Sequence, residues 1–198
     1  MASHRPRAFP RLLIPLALLL LVPLSAFAEH FRFDLANVGV RPTAVRVAGT
    51  FNHWNPDVFP LHANEDAFVG DLPLPDGDHA FKFVATFPDG TTSWMLDRTW
   101  PIYVADPGGH VNHLLVLQAG RRVMPDDLEL FEWISLEARD VVLSGDFNGW
   151  RQGDVPLRLD GDHTWRCWLR TPRPFHYKFV VNDLWMTEEP DEHRRLTT

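Results

Sequence analysis

The chain has 198 residues, with 26 Asp and Glu against 19 Lys and Arg and a formal charge of −7. Such an acidic chain lacks the basic footprint that DNA, RNA and anionic lipid select, so nucleic acid is excluded as a partner. Its single cysteine, Cys167, excludes an internal disulfide; a core built from 8 Trp and 14 Phe must hold the fold instead.

The N-terminus reads as a targeting segment. Arg5, Arg7 and Arg11 precede an apolar run from Leu12 to Val22, and Ala26-Phe27-Ala28 supplies a small-x-small cleavage pattern. This predicts a signal peptide over 1–28, a mature chain from Glu29, and export to a periplasmic or secreted location with no membrane span after cleavage. Loss of three Arg and no acid takes the charge to −10. Cys167, inside the alternating run Trp165-Arg166-Cys167-Trp168, reads as a small core residue.

The mature region is a repeat. Gly49-Thr50-Phe51-Asn52-His53-Trp54 recurs 96 residues later as Gly145-Asp146-Phe147-Asn148-Gly149-Trp150. The same offset carries Pro60-Leu61 onto Pro156-Leu157 and Phe81-Lys82-Phe83-Val84 onto Tyr177-Lys178-Phe179-Val180. Trp94-Met95 answers Trp185-Met186 at offset 91, because the first copy has five extra residues around Pro88-Asp89-Gly90.

Each copy is a set of short strands divided by turns. The first is predicted at 31–35, 44–50, 67–74, 79–86 and 111–117, the second at 128–134, 141–145, 164–170 and 176–182. No segment holds a helical period beyond two turns. The fold class is therefore all-β, two tandem immunoglobulin-like (early-set) β-sandwiches: module 1 over 29–118, a linker over 119–127, and module 2 over 128–198. From its Gly-x-Phe-Asn-x-Trp onward the second copy runs 54 residues against 69 for the first, about one strand short. That leaves an open edge over an apolar set (Phe147, Trp165, Trp168, Tyr177, Phe179), expected to pair with a protein partner or a second copy of the chain unless a neighbouring segment closes it.

The lysines carry the functional signal. The chain has 17 Arg and two Lys, and both Lys occupy the same repeat position, Lys82 and Lys178. Alternation turns Phe81 and Phe83 inward and Lys82 outward. Trp54 and Trp150 follow a turn, and Trp94 and Trp185 follow the Lys strand. Two indoles and an ammonium on one face suit a sugar ring, whose C–H face lies on an indole while its hydroxyls accept from the Lys.

These motifs, with the closing Val111-Asn112-His113-Leu114-Leu115, resemble family-48 carbohydrate-binding modules. Such modules stand at the N-terminus of glycogen branching and debranching enzymes and form the glycogen-binding domain of AMP-activated protein kinase β subunits. The resemblance implies a sandwich that binds α-glucan (glycogen, starch or maltooligosaccharide). Its contact residues would be Trp54, Lys82, Trp94 and Asn112 in the first copy and Trp150, Lys178 and Trp185 in the second. Departures are the insertion before Trp94, expected to shift that indole, and Gly108 and His110 in place of the Leu and Thr of the kinase domain. The second copy ends before any counterpart of Asn112.

No catalytic constellation emerges. An α-amylase-type barrel needs about 250 residues that the chain does not contain, and the acids lie in turns and the tail rather than as a facing pair. His110 and His113, three apart, point to opposite strand faces rather than to one metal. No sequence motif calls for a cofactor. Two alternatives to glucan binding stand: a protein-interaction module that kept the fold and lost the sugar, or an accessory module of an α-amylase-family enzyme.

Overall fold

The structure, a computed structural model, describes residues 27–171 and 175–186. The expected leader lies outside these residues, except that Phe27 and Ala28 open the first strand opposite Leu74 and Pro73. The tail from Glu188 also lies outside them.

The first copy comprises β1 (Phe27–Asp34), β2 (Ala44–Gly49), β3 (His62–Ala63), β4 (Ala67–Leu74), β5 (Gly77–Thr86), β6 (Thr92–Met95), β7 (Ile102–Ala105), β8 (Val111–Gln118) and β9 (Arg121–Arg122). β1, β4 and β3 form one sheet, while β2, β5, β8 and β7 lie side by side in the other. Alternation turns Val45, Val47, Phe81, Phe83, Leu115 and Leu117 inward, where they meet Phe31, Phe33, Phe68, Leu72 and Leu74. Phe31 packs edge-on against Phe81 at 5.0 Å, a geometry that adds roughly 0.5–1.5 kcal/mol to area burial.

The second copy comprises β10 (Glu129–Ile134), β11 (Val141–Gly145), β12 (Arg158–Leu159), β13 (Thr164–Arg170), β14 (Tyr177–Val181) and β15 (Leu184–Trp185). β11, β14 and β15 form one layer, and β10, β13 and β12 the other. The repeat extends to the Pro anchors: Arg46 bridges Pro60 as Val142 bridges Pro156, and Leu61 and Leu157 are both buried. Trp165 and Cys167 are core residues. Trp168, expected with them, points to the other face because inward positions on β13 are odd-numbered.

The two sandwiches are not beads on a linker. β7 pairs in parallel with β13, matching Ile102, Tyr103 and Val104 to Trp168, Leu169 and Arg170. One continuous sheet thus joins the Lys-bearing layer of module 1 to the opposite layer of module 2. Tyr103, Ala105 and Val111 are buried in the core of module 2, with Phe131, Leu143, Phe147 and Leu169. The Tyr103 hydroxyl donates to the Pro156 carbonyl at 2.9 Å, and the Trp168 N–H donates to the Pro101 carbonyl at 2.8 Å. Arg170 pairs with Asp78 at 2.5 Å and Asp127 at 2.8 Å, and Arg98 pairs with Asp140. Within the segment expected as a linker, 119–127, Arg121–Arg122 form β9, paired to Leu117 and Gln118.

This bears on one edge of module 2: the edge of β13 is taken by β7, and first-copy side chains enter the second core, but β7 does not fill the place of the missing last strand, which lies beside β14. Among the described residues, the N-terminal part of β14 alone lacks the neighbour that β8 gives β5.

His113 sits where the two cores meet. Its ring stacks on Tyr103 at 5.3 Å and lies 4.9 Å from Phe81, and its Nε2 accepts from the Asp97 N–H at 2.8 Å. The ring must therefore be neutral with its proton on Nδ1. Burial pushes its pKa down from 6.5 to about 3.

Two outcomes are expected. Residues 29–118 alone should aggregate or bind a hydrophobic dye, because Tyr103, Ala105 and Val111 lose their cover; light scattering checks this. For His113 the lowered native pKa means the unfolded chain binds more protons between about pH 3 and 6.5. Stability from this group is thus full above that window and falls on acidification, by up to about 1.4 kcal/mol per pH unit. His113→Gln should flatten the acid limb of a denaturation series run from pH 7 to pH 4.

Candidate functional site

The Gly-x-Phe-Asn-x-Trp motif is a turn that aims an indole. After β2 the chain makes a 3-10 turn at Thr50–Asn52, and after β11 an equivalent one at Asp146–Asn148. The Asn side chain holds each turn. Asn52 Oδ1 accepts from the Gly49 N–H at 2.9 Å, and its Nδ2 donates to the carbonyls of Val47 and Asn55. Asn148 bonds Gly145 N–H and the Arg151 carbonyl in the same way. Both glycines are extended, so their role is space: a Cβ on Gly49 would lie 2.5 Å from the Ala80 carbonyl oxygen, and one on Gly145 would lie 2.3 Å from that of His176.

The residues that follow adopt left-handed backbone. His53 and Trp54 have φ of 54° and 59°, and Gly149 and Trp150 have 63° and 60°. Positive φ at a bulky residue carries strain, on the order of 1–3 kcal/mol, that surrounding structure must hold. The same strain at the same motif position in both copies marks the two Trp as positioned groups. Sequence alone did not reveal it.

The structure brings the indoles together in pairs. Trp54 and Trp94 have ring centroids 6.3 Å apart at 46°, and Trp150 and Trp185 have theirs 6.1 Å apart at 48°. The insertion before Trp94 does not displace it, contrary to expectation. Trp94 pairs with Val84 and Trp185 with Val180, equivalent residues in the repeat. The five extra residues lengthen the β5–β6 turn, closed by the Phe87 N–H bond to the Thr91 carbonyl. In the second copy Asn182 and Asp183, both at positive φ, make the short connection. Trp94 is 47% exposed, and Trp150 and Trp185 are each 38% exposed, so all three rings are open to a ligand.

In module 1 the pair belongs to a cavity of about 350 Å³ lined by Trp54, Lys82, Trp94, Asp106, His110 and Asn112. It unites the four residues singled out in the first copy. Lys82 and Asn112 share the outer face because β5 and β8 alternate in phase. Lys82 is only half-exposed. Partial burial lowers its pKa, while the carboxylates of Asp154 and Asp106 act against that shift and Arg151 adds to it. The cavity can therefore offer two apolar faces, an ammonium, an amide and a carboxylate.

Sequence reasoning missed one wall. Asp106 and His110 close the β7–β8 loop, with the His110 N–H donating to Asp106 Oδ1 at 3.0 Å. Arg151 of the second copy holds that loop, donating from Nη2 to the Gly109 carbonyl at 2.6 Å. Asp106 has no repeat signal, and the partnership of Arg151 with Gly109 exists only because the copies are fused.

Module 2 has the indole pair and an exposed Lys178 but, among the described residues, no counterpart of Asn112. Trp150 is anchored by its Nε1, which donates to Asp146 at 3.0 Å. The His176 N–H also donates to Asp146 at 2.9 Å and holds its carboxyl below the ordinary value.

Gly49→Ala should cost about 3 kcal/mol, since backbone rather than a flexible side chain meets the new methyl. A lower urea midpoint with an unchanged slope would register it.

Comparison with known proteins bears on the same segment. Residues 40–121 match the family described as "Glycogen recognition site of AMP-activated protein kinase". The chain is 31% identical over 109 residues to 5'-AMP-activated protein kinase subunit beta-2 of Homo sapiens and of Mus musculus, covering 50% of this chain and 35% of each relative. It is 33% identical over 115 residues to the beta-1 subunit of Rattus norvegicus, covering 54% of this chain and 37% of the relative. The chain thus spans little more than a third of the length of these curated relatives. Residues 40–121, which carry Trp54, Lys82, Trp94 and Asn112, are thus similar to a glycogen recognition site.

Proposed function

We propose that the chain binds α-glucan without transforming it, through the Trp54–Trp94 cavity of module 1 and the Trp150–Trp185 pair of module 2. The observation that carries this reading is the tilted indole pair. It is built twice with nearly the same spacing and angle, each time beside the same repeat lysine, and once inside the segment that matches a glycogen-recognition family. An α-glucan chain curves, and two indoles inclined at 46° offer successive glucose rings faces that turn with it. Lys82, Asn112 and Asp106 would then bond the hydroxyls at the edge. The leader read in residues 1–28 would place this binding outside the cytoplasm.

One observation favours a second reading. The relatives are named as subunits, so a protein partner fits this chain as an addition to the glucan.

Covering two indole faces removes roughly 100 Å² of apolar surface, worth about 2.5 kcal/mol. With hydrogen bonds added and ordering subtracted, one site should show a Kd from about 1 mM down to tens of micromolar. Calorimetric titration with maltoheptaose should fall in that range, with cellohexaose far weaker. A flat titration at millimolar sugar sinks the reading. Trp54→Ala and Lys82→Ala should each weaken module 1 binding by about tenfold or more with little change in melting temperature, because both side chains lie on the outer face. Phe81→Ala, fully buried, should instead destabilise by about 3–5 kcal/mol.

A further inference from the structure

The route by which the modules are joined fixes where their indole pairs look. Lys82, Asn112 and Trp94 lie on the outer face of the β2–β5–β8–β7 layer, whose inner face carries Phe81, Phe83, Tyr103 and Val111. β7 continues that layer into β13, and Leu169, matched to Tyr103, points inward with it. The layer that continues from module 1 is therefore the one lacking lysine in module 2. Lys178 and Trp185 belong to the other layer, β11–β14–β15, and lie on the far side of the shared core. Three strand steps separate β5 from β13. Ordinary twist over those steps turns the sheet normal by roughly 60–75°, so the two platforms diverge by more than a right angle.

The joint holding this divergence is rigid. Strand pairing, a shared core and the ion pairs of Arg170 and Arg98 set it. A short glucan on the Trp54–Trp94 pair would have to bend round the 106–110 and 146–154 loops to reach Trp150.

The geometry points to a cross-linking role: one molecule holds two separate α-glucan chains, one on each side of the fused double sandwich, and so bridges glucan particles. This rests on the glucan-binding reading and adds to it. Both indole pairs work, neither completes the other's site, and the product is a network rather than a tighter grip on one chain.

Two measurements on the full chain test it, calorimetric titration with maltoheptaose and turbidity of dilute glycogen. The wild type should bind two maltoheptaose molecules and cloud the glycogen, with turbidity passing through a maximum as protein rises. Trp54→Ala and Trp150→Ala should each bind one maltoheptaose and leave glycogen clear. Lys82→Ala and Lys178→Ala serve as a second pair should either Trp variant misfold, and should give the same pattern. One maltoheptaose per wild-type molecule, lost in either Trp variant, would mean a single chain spans both pairs and would overturn the proposal. Two bound maltoheptaose with clear glycogen would overturn it while leaving glucan binding intact. No heat with maltoheptaose at all removes the glucan reading itself, and the proposal with it.

Discussion

The β7–β8 hairpin belongs to two cores at once, and the rest of the molecule is arranged around that fact. β8 gives Leu115 and Leu117 to module 1 and Val111 to module 2, while β7 hydrogen-bonds to β8 on one side and to β13 on the other. A sandwich of about 70 residues buries too small a share of its surface to be secure by itself. Sharing a hairpin enlarges the apolar cluster without adding sequence. It also removes the exposed β13 edge that would otherwise invite another chain. His113 between Phe81 and Tyr103 is the polar cost of the arrangement, tolerable because the ring is neutral and accepts from the Asp97 N–H.

The candidate site depends on local turn chemistry laid over that frame. Gly49 and Gly145 let one strand approach another's carbonyl closely, and Asn52 and Asn148 satisfy the turn from inside. The left-handed backbone that results swings each Trp onto the outer face. Strain of this kind persists only where its surroundings are firm. The packed aromatics beneath, partly buried Phe51 with Phe31 and Phe59 in module 1 and Phe147 with Phe175 in module 2, supply that firmness.

The copies have diverged in what surrounds an otherwise constant indole pair. Module 1 holds a half-buried ammonium in a walled cavity, and part of that wall is fixed by Arg151 from its neighbour. Module 2 leaves Lys178 exposed on an open face. A lysine partly withdrawn from water makes stronger hydrogen bonds to a bound hydroxyl than one fully solvated. The two sites therefore differ in electrostatic quality even though their apolar geometry is nearly the same.

The sequence by itself determined the fold class, most of the long strands to within a residue or two, the inward set on β5, and the grouping of Trp54, Lys82, Trp94 and Asn112. All but Asn112 follow from period-two alternation and from the repeat, which are properties of the chain read locally; Asn112 entered only through the family resemblance. It left β3, β6, β7, β9, β12 and β15 unseen, because strands of two to four residues are too short for a period to show and exist by virtue of their neighbours. It misjudged Trp94, since a count of inserted residues does not tell a displaced strand from a longer turn in unchanged register. It placed Trp168 in the core, where only β13 parity, set by its partners, could decide. Above all, the union of the modules was decided by tertiary structure alone. Tyr103, Ala105 and Val111 are ordinary strand residues in sequence, and nothing local states which of two cores a hairpin will enter. That choice is made by the apolar surface left uncovered on the second copy, whose β13 edge and interior they fill.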